Sequence, residues 1–397
     1  MLLIDLSHTS HSEGNTGIQR VCRSLLGGLS SLTTTNAVCY DPYLKAWRYL
    51  AGKECELAKG LKSRKPGRRR GSRWSLSQKI RSTLARYGLS VGYKSLHSGN
   101  AHQVSGFVVP EIFTPKVAVS YRSLFPTLKA PTIAVFHDAV ALRFPDISPA
   151  ATVKRMPDYL NELRMFDGIA ANSKASRDEL LAYWANEGVE NHPRVEAIPL
   201  GTDFKSAGAD PAMWQRKKIL VVGTFEGRKN HLALLDAFEQ LWESGKVFEV
   251  EFCGAVNKET GTAAVNRLEC LRSKGRALRW NGALSDLELT KAYESCSFTV
   301  YPSLYEGFGL PVLESLSFGR PCVCTTYGAL KEASADGGCV HLKDGSTSSI
   351  TEGVDRLLRD SQLYGKLCDE IDERTFRNWT DYSKDVLAFV DGLKVGN

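Results

Sequence analysis

At 397 residues the chain is long enough for two α/β domains, each with its own core, and 43% hydrophobic with 24% charged residues is the balance of a soluble globular protein. No apolar run approaches the ~20 residues that cross a bilayer, and the ten cysteines are scattered without a Cys-x-x-Cys pair, which argues against a metal site, a disulfide framework or an oxidising compartment. The net charge of +7 is a local feature, because the stretch from Leu57 to Pro110 holds twelve Lys or Arg and no acid, leaving the rest of the chain net acidic.

In chain order, the opening Met1-Leu2-Leu3-Ile4-Asp5-Leu6 lacks a basic lead and meets Asp5 too early for a signal peptide, so it reads as a first strand over 2–6. A loop over 7–16, a helix over 18–29 and a strand over 37–40 follow, the opening of a doubly wound parallel sheet. A basic insertion occupies about 57–105, and in it Trp74, Leu76, Ile80, Leu84 and Tyr87 fall at helical spacing with Lys79, Arg81 and Arg86 elsewhere on the turn. Such a helix suits an anionic membrane surface; an ordinary packing helix is equally open, and nucleic acid is the weaker option because no recognised binding motif accompanies the charges. Strands then read at 106–109, 116–120 and 132–136, a helix at 153–166, a strand at 168–171, a helix at 172–184 opened by Asn172 or Ser173, and a strand at 195–198. The turn and polar stretch over 199–211 read as a linker, giving a first domain at 1–203, a second at 212–375 and a terminal segment at 376–397.

The second half restarts with an almost continuous apolar strand at 218–223, typical of a sheet covered on both faces. A helix at 231–242, a strand at 248–254, a helix at 287–295, a strand at 298–301, a helix at 311–318 and a strand at 321–325 repeat the scheme. Two doubly wound sheets imply a cleft at the carboxyl ends of their strands.

Two loops of the second half carry the chemistry. In Glu306-Gly307-Phe308-Gly309-Leu310-Pro311-Val312-Leu313-Glu314 the glycines let a ligand approach the backbone, Pro311 suits a first helical turn, and the free amides there favour an anion such as phosphate. Glu314 is expected in that first turn, able to accept from sugar hydroxyls; a plain strand-loop-helix connection with a capping acid is the alternative. In Gly223-Thr224-Phe225-Glu226-Gly227-Arg228-Lys229-Asn230-His231 the paired cations suit a diphosphate, and no Asp-x-Asp pair occurs anywhere to grip a metal.

Together these segments resemble the retaining GT-B glycosyltransferases of family 4, the glycosyl transferases group 1, and Asn15-Thr16-Gly17-Ile18-Gln19-Arg20 resembles that family's glycine loop after the first strand. The likeness covers nearly the whole chain and is weak from about 45 to 105. It implies an α/β, GT-B fold of two doubly wound Rossmann-like domains facing each other across a cleft, the first binding acceptor, the second binding a nucleotide-sugar donor, with a terminal helix crossing back. It assigns Arg228 and Lys229 to the donor diphosphate and its growing charge, Glu314 to ribose, and Glu306 to sugar hydroxyls. The amides of Phe308, Gly309 and Leu310 lie beside sugar and phosphate, Gly223 and Thr224 belong to the donor loop, and Gly17 lines the cleft from the opposite domain. His137, of the His137-Asp138 pair, comes near the transferred sugar. The implied catalytic set is His137, Glu306, Arg228 and Lys229, with no metal and no cofactor besides the nucleotide-diphosphate sugar substrate.

The style of the glycine loop and of His137-Asp138 resembles bacterial surface-polysaccharide mannosyltransferases, which favours GDP-mannose as donor and a saccharide or lipid-linked acceptor. The implied place is the cytoplasm, with peripheral contact at the inner face of the cell membrane through 57–94. Gly227 departs from the proline usual before Arg-Lys, and Leu200 from the asparagine usual in the linker turn; neither removes a charged ligand. Rival readings are an epimerase or phosphorylase on the same fold, and a membrane or nucleic-acid binding protein built around the basic stretch.

Overall fold

The computed structural model describes residues 1–60, 73–89, 92–96, 104–202 and 208–393. The most basic part of the insertion, including Arg68, Arg69 and Arg70, lies outside them. The first sheet comprises β1 (Leu2–Asp5), β2 (Thr35–Asp41), β3 (Ala46–Tyr49), β4 (Gly106–Val109), β5 (Thr132–Phe136), β6 (Gly168–Ala171) and β7 (Arg194–Ala197). Its order is β3-β2-β1-β4-β5-β6-β7, parallel except for β3, which runs antiparallel to β2. Strands β1, β4, β5 and β6 are buried along their whole length because helices cover both faces. These helices are α1 (Gly17–Leu32), α2 (Lys53–Ala58), α3 (Leu76–Arg86), α4 (Pro115–Leu128), α5 (Val140–Arg143), α6 (Ala150–Glu162) and α7 (Lys174–Asn186), the last opened by Ser173, whose hydroxyl accepts from the Ser176 amide.

Residues 116–120, expected as a strand, are instead the first turns of α4. The Val117-Val119 alternation suggested a period of two, but Ala118, Tyr121, Leu124 and Leu128 are buried at helical spacing while Val119 faces out. Pro115 in the first turn, with Thr114 before it, starts the helix.

The second sheet comprises β8 (Lys218–Val222), β9 (Glu249–Cys253), β10 (Leu278–Trp280), β11 (Phe298–Tyr301), β12 (Cys322–Cys324) and β13 (Cys339–His341), all parallel, in the order β10-β9-β8-β11-β12-β13. It is covered by α8 (His231–Glu243), α9 (Thr262–Ser273), α10 (Asp286–Ser295), α11 (Leu310–Ser317), α12 (Leu330–Ala333), α13 (Thr347–Arg359) and α14 (Ser361–Asp372). The order reverses between β8 and β11, and the crevice beyond their carboxyl ends is where open α/β sheets bind ligands. The last helix, α15 (Trp379–Asp391), packs Trp379, Tyr382, Val386, Phe389 and Val390 into the core of the first sheet beside Leu2, Ile4 and Val21 of β1 and α1. The first sheet is thus covered on this face by α1 and α15 together.

Candidate active site

The two loops that leave β8 and β11 meet at the reversal point. Glu306 is buried, and both its oxygens are engaged: Oε1 accepts from Lys229 Nζ at 2.6 Å and from the Tyr301 hydroxyl at 3.0 Å, and Oε2 lies 2.5 Å from Arg228 Nη1. Lys229 Nζ also reaches the Tyr301 hydroxyl, and Arg228 Nη2 pairs with Glu226 Oε1 at 2.8 Å. Burial alone would push the Glu306 carboxyl up, but the Arg228 guanidinium and then the Lys229 ammonium outweigh it and hold it down at about 2. For Lys229 the balance goes the other way, since burial and then the Arg228 charge pull its ammonium down. Arg228 gains protonation: burial opposes its charge, while Glu306 and Glu226 hold it firmly cationic. Tyr301, at the end of β11, completes the cluster; its place in a buried aromatic strand gave no signal that its hydroxyl would matter.

Glu314 lies in the second turn of α11, not in the first, because the helix begins at Leu310 behind Gly309 in the left-handed region. Its carboxylate is buried, accepts from the Tyr293 hydroxyl at 2.9 Å, and pairs with Arg20 Nη1 from α1, on the other side of the cleft. Arg20 and Tyr293 are further site residues that sequence reasoning left without a role. Gly223 and Thr224 leave β8 beside the Lys229 stem; a Cβ on Gly223 would lie 3.7 Å from Lys229 Cε. Phe308 and Leu310 reach over to pack on the core of the first sheet. Gly17 is the first residue of α1, exposed, with nothing within 4 Å of where a Cβ would stand.

The first domain contributes the edge beyond β5. His137 is buried, and its Nε2 lies 2.9 Å from the Pro110 carbonyl at the end of β4. A carbonyl only accepts, so Nε2 carries the proton, and Nδ1 holds the lone pair of a neutral ring. Burial keeps the ring neutral, although the Pro110 carbonyl and Asp138 pull the other way. Gly307 presses directly on this edge: a Cβ there would stand 2.2 Å from the His137 carbonyl oxygen and 2.7 Å from Asp138 Cβ. The Gly307 carbonyl in turn accepts from Ser173 Oγ at 2.7 Å and Ser176 Oγ at 3.1 Å. Gly227 makes the second close approach, since a Cβ would stand 2.7 Å from Ile147 Cβ, which accounts for the absence of proline before Arg228. The arrangement therefore sets a cationic pair, two carboxylates, the start of a helix and a neutral imidazole around one cleft.

Residues 211–377 match the family model described as glycosyl transferases group 1. The serotype-specific mannosyltransferase WbdA of Escherichia coli is 26% identical over 357 residues, covering 83% of this chain and 39% of that protein. The O-antigen chain mannosyltransferase B of Escherichia coli is 30% identical over 226 residues, covering 52% of this chain and 56% of that one. The chain thus spans less than two thirds of either relative. Among solved structures, Anabaena HepE in complex with UDP and glucose aligns with a TM-score of 0.68 at 12% identity over 99% of each chain. Sucrose-phosphate synthase from Thermosynechococcus elongatus aligns with a TM-score of 0.66 at 15% identity over 98% of each. The chain therefore has the GT-B fold, and its residues 211–377 match the glycosyl transferases group 1 family.

Proposed function

We propose that this protein is a retaining glycosyltransferase that moves a sugar, mannose from GDP-mannose in preference, from a nucleoside-diphosphate donor to a saccharide or lipid-linked acceptor during surface-glycan synthesis. The observation that carries the reading is the convergence of Arg228 and Lys229 on Glu306 at the reversal point of the second sheet. The family of residues 211–377 and the mannosyltransferase relatives support it.

In this reading the diphosphate competes with Glu306 for the two cations. The carboxylate so released accepts from sugar hydroxyls, while Arg228 and Lys229 stabilise the charge that grows on the departing phosphate. They supply the positive charge that a divalent ion supplies elsewhere, so transfer is metal-independent. Glu314 takes the ribose hydroxyls once Arg20 yields it, and neutral His137 accepts from the transferred sugar. As the family resemblance implies, the departing phosphate takes the acceptor proton on the same face and the configuration is retained. The protein works in the cytoplasm.

Thermal shift against a panel of nucleotides and nucleotide sugars tests the donor, because a true donor stabilises the folded form it binds. GDP and GDP-mannose should stabilise most, and transfer should survive EDTA. The Arg228→Ala, Lys229→Ala double variant should lose at least about a thousandfold in kcat/KM. Retained transfer in that variant overturns the diphosphate assignment, and turnover without any acceptor points to an epimerase.

A further inference from the structure

Helix α3 sits on the first domain with its polar side inward. Ser82 is fully buried and donates to Asp41 Oδ2 at 2.6 Å, and Gln78 Nε2 donates to Glu54 Oε1 at 2.9 Å. Both acids are already engaged by buried Arg48, whose Nε lies 2.8 Å from Asp41 Oδ2 and whose Nη1 lies 2.7 Å from Glu54 Oε2. Trp74, just before the helix, stacks on His11 with 3.8 Å between ring centroids, and Ser75 with Gln78 forms a capping box. The helix is therefore seated by hydrogen bonds and ring stacking, not by an apolar face.

Its apolar side faces water. Leu76, Ile80 and Leu84 are 73%, 51% and 39% exposed, and Tyr87 and Leu89 beyond the helix are 76% and 56% exposed. Five of the twelve exposed large hydrophobic side chains among the described residues thus fall between Leu76 and Leu89. At about 100° per residue, Leu76, Ile80, Leu84 and Tyr87 share an arc of roughly 80°, with Lys79 and Arg86 flanking it on one side and Arg81 on the other. An apolar row left in water is unfavourable unless something covers it.

We propose that α3 and the turn after it dock the protein on an anionic lipid bilayer, the apolar row entering the boundary between headgroups and acyl chains and the flanking cations meeting lipid phosphates. Charge selects this occupant: Lys79, Arg81 and Arg86 lie on the helix and Arg73 just before it, and the sequence from Leu57 to Pro110 holds twelve Lys or Arg and no acid. Asp41 and Glu54 lie beneath the helix and are already paired, so neither offsets that field at its outer surface. A second copy meeting this face would set the cations of α3 against those of its partner, and a nucleic acid would leave the leucine row wet. No described helix is long and apolar enough to cross a membrane, so the contact is peripheral. The inference stands apart from the glycosyl-transfer reading, since it uses none of the cleft residues.

The test is co-sedimentation of the full chain with phosphatidylcholine vesicles, with and without phosphatidylglycerol. The protein should sediment with the anionic vesicles alone, and less as salt rises. Ile80→Glu with Leu84→Glu should lower the vesicle partition coefficient at least about tenfold, and Lys79→Gln with Arg86→Gln about twenty-fivefold, from roughly fivefold per cation. Leu89→Glu, lying beyond the helix, is the fallback should the double glutamate variant fail to fold. The proposal is overturned if the wild type ignores anionic vesicles or binds both kinds equally, or if these variants sediment as the wild type does. It is equally overturned if Ile80→Glu with Leu84→Glu converts a vesicle-free dimer to monomer in sedimentation velocity, which would make a second copy the occupant.

Discussion

Glu306→Gln preserves the shape of the cluster and removes its one shared charge. The wild-type carboxylate accepts from Lys229 at 2.6 Å and Tyr301 at 3.0 Å through Oε1, and holds Arg228 at 2.5 Å through Oε2. Glutamine keeps one acceptor and turns an amide donor toward either the guanidinium or the ammonium. Removing one partner of a buried ion pair costs about 3–5 kcal/mol. Arg228 keeps Glu226 at 2.8 Å and is partly exposed, which brings the expectation to about 2–3 kcal/mol. For a domain of this size that lowers the melting temperature by roughly 5–10 °C. The pH dependence has a definite sign: Glu306 is depressed from 4.5 to about 2, so its contribution is complete above 4.5 and disappears as pH falls toward 2. The gap between wild type and variant should close over that window. Lys229, pulled down by burial, offsets part of the gain, which favours the lower end of the range. The same substitution should tighten GDP binding about tenfold, since a unit charge about 6 Å from a phosphate is worth at most about 3 kcal/mol at an effective dielectric of about 20 and water in the cleft weakens it. Transfer should nevertheless fall, because the sugar loses its carboxylate. Calorimetric melting with titration calorimetry of GDP decides the matter. An unchanged melt together with unchanged or weaker GDP binding refutes the reasoning.

Gly307→Ala should leave GDP affinity within about twofold but lower kcat more than a hundredfold, because a Cβ 2.2 Å from the His137 carbonyl holds the two halves apart and small misplacements cost that much; steady-state kinetics with GDP titration checks it. For His137, kept neutral by burial, the kcat/KM profile of wild type and His137→Gln should have the same shape, offset by about tenfold for one lost hydrogen bond; a limb near 6.5 present only in the wild type would contradict the neutral ring. Burial, and then Glu111, raise Asp5 from 3.8 to about 7, so its contribution is complete below 3.8 and is lost as pH rises through 7. Relative to Asp5→Asn, the wild type should therefore lose melting temperature between about pH 4 and 7 and run parallel above that, as measured by calorimetry in a pH series.

The sequence by itself determined the two doubly wound sheets, because apolar β-branched runs, caps and turn residues act over a few neighbours and state which face is buried. It also set the cation pair and the Glu306 loop at the same sheet edge, since each follows directly from the carboxyl end of a strand. It did not reveal that 116–120 is helical, where a two-residue alternation inside a longer helical pattern gave the wrong period, nor α13 and α14, whose burial is set by the sheet they cover. Only the tertiary structure decided the contacts between distant segments: Lys229 on Glu306, Arg20 on Glu314, Gly307 against His137, and the hydroxyls of Tyr301 and Tyr293 turned onto the two acids. It likewise decided the orientation of α3, because an amphipathic sequence states that a helix has two faces, while the buried Asp41, Arg48 and Glu54 beneath it determine which one turns inward. Periodicity is a property of neighbours along the chain, whereas pairing depends on which loops close and what they bury when they do.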